Sequence, residues 1–242
     1  ETGGQNAMFV DSSALPEQVV HDCVASAFNA AGQRCSALRI LCVQEDIAPR
    51  VIALLQGAMH ELTIGDPADL ATDVGPTIDD TARAGLQLHV DSISKQAKII
   101  GQCRLPASAS SGTYFAPTAI EIDSIDVLEK EVFGPVLHVY RYRRRKLAEA
   151  VAAVNATGYG LTMGLHSRIN TRAKAFVRQS GAGNIYINRN MIGAIVGSQP
   201  FGGRGLSGTG PKAGGPNYLP RFATEYAVSN NVAAVGGNAG LL

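Results

Sequence analysis

The chain has 242 residues, 45% hydrophobic and 17% charged, which suits one large domain or two small ones and excludes a disordered or low-complexity chain. Its 21 Lys and Arg nearly cancel its 20 Asp and Glu, so no overall field draws it to nucleic acid or an anionic membrane, and an anionic ligand has to be bound by local groups. No apolar run reaches the ~18 residues of a membrane span. The four cysteines, at 23, 35, 42 and 103, are too few and too irregular for a disulfide framework, so a soluble cytoplasmic protein without a signal peptide is expected.

The opening Glu1-Thr2-Gly3-Gly4-Gln5-Asn6 reads as the end of one element and the start of another, and without an initiator Met a segment of a longer chain is expected. Apolar spacing then predicts a helix over 21–30, a strand over 37–43, helices over 47–61 and 79–96, and strands over 97–100, 118–122 and 136–140. A helix over 147–155, a strand over 162–166, a helix over 171–179 and a strand over 184–187 follow. This alternation argues for an α/β fold with a mostly parallel sheet. Between 181 and 215 lie 11 of the 27 glycines, a window that needs backbone freedom or close approach. Past it, 221–229 alternates as a lone strand for pairing with another chain or a missing domain, and 232–242 is too small-residued to build a core.

Cys35 follows the turn Gly32-Gln33-Arg34, where a neighbouring cation and free backbone donors favour the thiolate, the nucleophilic form. It is the candidate nucleophile, whereas Cys23, Cys42 and Cys103 read as small core hydrophobes. In Glu129-Lys130-Glu131-Val132-Phe133-Gly134-Pro135 a carboxylate and a ring could hold a ligand's hydroxyls and planar group, or the carboxylates could be solvated and the ring core; residues alone lean to the second. Gly203-Arg204-Gly205-Leu206-Ser207-Gly208 matches the dinucleotide fingerprint, but neither a strand before it nor a helix after it is predicted, so it is rejected as a phosphate cradle. No Walker A loop is present. The basic run 141–146 reads as a charged strand-to-helix junction, and the five histidines show no metal-ligand spacing, so no metal is expected.

Taken in order, Glu1-Thr2-Gly3-Gly4-Gln5-Asn6, Gly32-Gln33-Arg34-Cys35-Ser36, Glu131-Val132-Phe133-Gly134-Pro135 and Pro200-Phe201-Gly202-Gly203 resemble the aldehyde dehydrogenase superfamily. Within it, 187–203 resembles the L-glutamate γ-semialdehyde (1-pyrroline-5-carboxylate) dehydrogenases. The run 210–216 and the tail Gly236-Gly237-Asn238-Ala239 resemble the dehydrogenase part of bifunctional proline-utilisation flavoproteins. The resemblance implies a three-layer α/β catalytic domain with a mostly parallel sheet over 1–216, and an oligomerisation strand and tail over 217–242. It implies Cys35 as the nucleophile, Glu1 as the residue that activates the hydrolytic water, and the Cys35 amide as an oxyanion donor. Glu131 would hold the nicotinamide ribose of NAD with Phe133 beside the nicotinamide. Ser36, Gly193 and Ala194 would grip the substrate's amino and carboxylate groups, with Phe201 lining the aldehyde pocket. The implied partners are L-glutamate γ-semialdehyde, an NAD-binding domain upstream of this chain, and a second copy in a homodimer, with no nucleic acid or membrane contact through this segment. FAD would belong to a proline dehydrogenase region outside the chain. Two alternatives remain: the chain by itself is a non-catalytic, self-associating module, or the substrate is another semialdehyde such as succinate semialdehyde.

Overall fold

The computed structural model describes residues 2–231 together with 234, 236, 237 and 240. Glu1, and Asn238 and Ala239 of the tail motif, lie outside the described residues. The chain runs β1 (Ala7–Val10), α1 (Pro16–Phe28), β2 (Ile40–Gln44), α2 (Ala48–Glu61), α3 (Asp80–Ile93), β3 (Lys98–Gln102), β4 (Thr118–Ile122) and β5 (Val136–Tyr142). It continues with α4 (Leu147–Ala156), β6 (Tyr159–Gly160), β7 (Thr162–His166), α5 (Asn170–Gln179), β8 (Asn184–Ile187) and β9 (Arg204–Gly205). Seven strands form one sheet in the order β3-β4-β5-β2-β1-β7-β8. Every pairing is parallel except β3 with β4, so the expected α/β architecture is present.

Both faces of the central strands are covered, the usual condition of a parallel sheet. Met8, Val10, Leu41, Val43, Leu137 and Val139 point into a core shared with α1 and α2. The alternate residues Phe9, Ile40, Cys42, Val136 and Tyr142 point into a second core under α3, α4 and α5. The sheet is thus the middle of three layers. Among the described residues, no helix is long and apolar enough to cross a membrane.

Strand β1 was absent from the predicted set because four apolar residues following Asn6 carry no periodicity of their own. Helix α1 begins at Pro16, whose fixed φ suits a first turn, and ends at Phe28 because Ala30, Ala31 and Gly32 all take left-handed angles, φ 54°, 53° and 63°. The strand expected over 221–229 is not formed. Leu219–Phe222 is a 3-10 turn and 223–231 has no regular structure. A strand exists only through its ladder, and none of the strand pairings reaches this segment.

The chain leaves β1 toward β2 and later returns on the other side through β7. The carboxyl ends of β1 and β7 are therefore the reversal point where an open α/β sheet ordinarily binds its ligand. Here the chain fills it. Asp11, fully buried, pairs with Arg172 and accepts hydrogen bonds from the Ser13 amide at 2.5 Å and the Ser167 hydroxyl at 3.0 Å. Burial opposes its charge, but hydrogen bonds from Ser13, Arg172 and Ser167 outweigh that and hold its carboxyl below the usual range.

On the α3 side, His138 of β5 lies with Nε2 2.9 Å from Nε2 of His89, and its Nδ1 is 3.2 Å from the Arg39 carbonyl. That carbonyl only accepts, so Nδ1 donates to it and His89 donates across the pair. Burial, reinforced by the neighbouring His89, pushes His138 down to about 3 from an ordinary 6.5, and burial and Lys130 lower His89. The unfolded chain therefore binds protons that the fold refuses, and stability is complete above pH ~6.5 and declines as pH falls toward about 3. Urea unfolding is expected to give a lower midpoint at pH 5 than at pH 7.5, and the His138→Gln variant a smaller difference between the two. An equal drop in that variant would show that the histidine pair is not the source.

Candidate active site

The turn that carries Cys35 is held from three sides. From the amino end of β1, the buried Asn6 side chain donates to the carbonyls of Cys35 at 2.7 Å and Ala37 at 2.8 Å. Its Oδ1 accepts the Thr162 amide at 3.1 Å. From α1, Ser26 accepts the Leu38 amide at 2.9 Å and its hydroxyl accepts the Met191 amide at 3.0 Å, so the base of the 191–199 loop and the exit of the Cys35 turn share one residue.

The third support is Arg39, whose side chain is only 1% exposed. A guanidinium has five N–H donors, and all five are used. Nη1 donates to Gly32 O at 2.7 Å and Gly134 O at 3.0 Å, and Nη2 to Arg34 O at 3.1 Å and Glu131 Oε1 at 2.9 Å. Nε donates to the same Glu131 oxygen at 3.2 Å. Its charge also lies over the Phe133 ring, 5.1 Å from the centroid. One side chain thereby binds the Cys35 turn to the 131–134 loop. The approach is close: a Cβ on Gly32 would sit 2.3 Å from Gly134 O, and with φ at +63° only glycine suits both the angle and the space.

Glu131 is paired with Arg39 and accepts the Gly4 amide on Oε2 at 3.0 Å, while Glu129 is exposed. Phe133 is 48% exposed, so the reading to which the residues alone lean, a solvated pair with a core ring, does not hold. With Ala82, Gly85, Leu86, His89, Lys130 and Val132, Glu131 and Phe133 line a cavity of about 210 Å³.

Ser36 is buried beside Cys35, its carbonyl 3.4 Å from Thr162 Oγ1. Gly193 and Ala194 are exposed on the 191–199 loop, and Tyr186 of β8 donates its hydroxyl to Gly193 O at 3.1 Å. Phe201 sits where Asn184 at the start of β8 donates to Pro200 O at 3.0 Å and accepts the Gly202 amide at 3.2 Å. It lines a cavity with Pro211, Tyr218 and Phe222, separate from that of Glu131 and Phe133. Thus the turn of Cys35 and Ser36 is joined to Glu131 and Phe133 through Arg39, the 191–199 loop that bears Gly193 to that turn through Ser26, and Phe201 to β8 through Asn184.

The thiols differ in setting. Burial pushes Cys23 and Cys42 up and Cys103 up to about 11, whereas Cys35 is half-buried. No disulfide links the four, and among the described residues no cluster of three or more His, Cys, Asp or Glu is placed to hold a metal. The 203–208 loop precedes no helix. Thr2 donates its amide to Ser207 O at 3.1 Å and Gly160 donates to the Ser207 hydroxyl at 3.0 Å, so the loop anchors the chain entering β1. Arg141 and Lys146 of the basic run pair with Glu121 and Glu149 where β5 passes to α4.

Sequence reasoning missed Asn6, Ser26, Arg39 and Tyr186. For Arg39 a signal existed: a lone charge in the apolar run 37–43 has to be paired if that run is buried.

The aldehyde dehydrogenase family pattern matches residues 1–228. The bifunctional protein PutA of Salmonella typhimurium is 54% identical over 92% of this chain, which spans 17% of that protein's length. The 1-pyrroline-5-carboxylate dehydrogenase of Geobacillus kaustophilus is 35% identical over 90% of the chain and 42% of its own length. A crystal structure of a bifunctional proline utilization A protein superposes with a TM-score of 0.91 at 55% identity, over 98% of this chain and 24% of its own. A 1-pyrroline-5-carboxylate dehydrogenase from Thermus with bound NAD gives a TM-score of 0.84 at 33% identity, over 92% and 42%. On sequence and structure together, this chain belongs to the aldehyde dehydrogenase family.

Proposed function

We propose that the chain is the nucleophile-bearing part of an NAD-dependent dehydrogenase that oxidises L-glutamate γ-semialdehyde, the open form of 1-pyrroline-5-carboxylate, to glutamate. The observation that carries this reading is the grip of one guanidinium, Arg39, on both the turn that bears Cys35 and the loop that bears the carboxylate of Glu131 and the exposed ring of Phe133. The similar 1-pyrroline-5-carboxylate dehydrogenases support the substrate.

The residues present fit NAD. Glu131 accepts three hydrogen bonds of the roughly four that a carboxylate can take, which leaves acceptor capacity for a ribose hydroxyl. Phe133 offers a flat, exposed apolar surface for a planar ring. When bound, NAD supplies the hydride acceptor.

The Cys35 thiolate adds to the aldehyde carbon, and the carbonyl electrons move to oxygen, where the Cys35 amide donates to the oxyanion. As the carbonyl reforms, the C–H bond breaks with its electron pair leaving as hydride, and a thioester to Cys35 remains. Glu1 takes a proton from water as it attacks the thioester, the C–S bond breaks, and the carboxylate leaves with the thiolate restored. Ser36 and the Gly193–Ala194 backbone bind the substrate's α-amino and α-carboxylate groups, and Phe201 lines the aldehyde pocket.

In a full-length protein that carries this chain, Cys35→Ala is expected to lower aldehyde oxidation by on the order of 10⁴-fold, read as NADH formation; retained turnover would retire the nucleophile. Gly193 has φ +107° with open space around its Cα, so Gly193→Ala adds backbone strain without a clash. The expected result is a KM for the semialdehyde raised by about tenfold with kcat little changed, and a smaller change for succinate semialdehyde, which lacks the amino group. Equal changes for both would argue against recognition of the amino end by this loop.

We further propose that 217–231 associates with a second copy of the chain, because Leu219, Phe222, Tyr226 and Val228 are each exposed by more than 70% and a patch of this kind marks an interface. Light scattering is expected to show dimer mass at micromolar concentration; Phe222→Asp with Tyr226→Asp is expected to give monomer.

A further inference from the structure

We infer that Arg39 is a positioning residue for the Cys35 nucleophile: it fixes the peptide that carries the Cys35 amide and biases the adjacent sulfur toward thiolate, and Glu131 sets how much of its charge the sulfur feels. This inference rests on the reading of Cys35 as nucleophile, but its consequences are visible without turnover.

The Arg34 carbonyl that accepts from Arg39 Nη2 at 3.1 Å belongs to the same peptide unit as the Cys35 amide. A guanidinium on the oxygen of that unit holds its plane and, by drawing electron density toward the oxygen, makes its N–H a stronger donor. Two residues earlier, Nη1 takes the Gly32 carbonyl at 2.7 Å, at the end of three successive left-handed residues. Such a run costs free energy at each alanine in it, and stays in place only where surrounding contacts over-determine it. Arg39 supplies those contacts with a planar fork that a lysine ammonium cannot reproduce.

The charge is equally placed to act. Arg39 is buried at 1% exposure, so water screens it little, and its guanidinium interacts electrostatically with Cys35. Glu131 faces the same guanidinium and offsets part of its field. Among the described residues, the other titratable groups around the pair are Arg34 on the turn, His138 on β5, held neutral, and Tyr186 on β8; Glu1, the base proposed for the Cys35 thioester, is unaltered in every variant compared below. A carboxylate that opposes the Arg39 field makes a prediction that packing does not: removing its charge lowers the thiol's midpoint.

The test is the pH dependence of iodoacetamide alkylation of the 242-residue chain, read at the Cys35 peptide by mass spectrometry, with Cys23, Cys42 and Cys103 buried. For Arg39→Met the midpoint is expected to rise by about one unit, a fall in rate at pH 7 of about tenfold. Arg39→Lys, which keeps the charge and loses the fork, is expected between Met and the unaltered chain. For Glu131→Gln the midpoint is expected to fall, with alkylation at pH 6.5 several-fold faster. A folded Arg39→Met chain with an unchanged midpoint would overturn the inference, as would a Glu131→Gln midpoint that stays or rises. If circular dichroism shows that Arg39→Met does not fold, Glu131→Gln decides alone. Loss of aldehyde oxidation in the Cys35→Ala full-length protein, together with unmoved midpoints here, would leave the enzymatic reading standing and remove this one.

Discussion

A buried guanidinium is the constraint from which the rest of the site follows. Taking Arg39 out of water costs several kcal/mol unless its donors and its charge are met, and burial works against its protonated form. The chain meets that cost with carbonyls from Gly32, Arg34 and Gly134 and with the carboxylate of Glu131. These partners belong to two loops separated by about a hundred residues of sequence. Once Arg39 is buried, the geometry of the thiol turn and that of the carboxylate loop cease to be independent, and a group that bound to one would be felt by the other.

The location of the site is unusual for a parallel sheet, and the fold explains why. Ligands in open α/β sheets ordinarily bind beyond the carboxyl ends of the strands, at the reversal of strand order. That crevice, between β1 and β7, is occupied by Asp11, Ser13, Ser167 and Arg172 bonded to one another. The groups gathered for chemistry lie at the opposite edge, ahead of β1, β2 and β5: Asn6 and the Gly4 amide, the Cys35 turn, and the Glu131–Phe133 loop. At this edge strands begin, so the first amides and the residues ahead of them are free to bend toward a common point. The polar plug at the other edge ties β1 to β7 and closes the competing crevice.

The elements whose apolar period is long were legible in the sequence: β4, β7 and β8 fall on their predicted residues, and the five helices are all present with shifted ends. The ends moved where the deciding interaction is not local. Helix α1 stops short at Phe28 because of three left-handed residues, and nothing in Asn29-Ala30-Ala31 announces that two alanines will adopt those angles; the Arg39 and Gly134 contacts that hold the turn come from elsewhere. The segment 221–229 alternates like a strand, but alternation reports only which side chains could share a face, and the ladder has to come from a partner. In the candidate site, residue chemistry alone proposed Cys35 and leaned to a solvated Glu131 and a core Phe133, because it could not see Arg39, which pairs with the one and lies over the other. Asn6, Ser26 and Tyr186 act through hydrogen bonds to backbone groups, and those leave no pattern in residue type.

The contrast among the four thiols shows how the fold, rather than residue identity, selects chemistry. Cys23 and Cys42 are enclosed by the two apolar cores, where burial opposes the thiolate. Cys103 is turned inward with its thiol 3.1 Å from Met59 O, which holds the proton on sulfur. Cys35 is on a turn whose own carbonyl and that of Arg34 accept hydrogen bonds from Asn6 and Arg39, so the electronegative ends of those two peptides are already engaged.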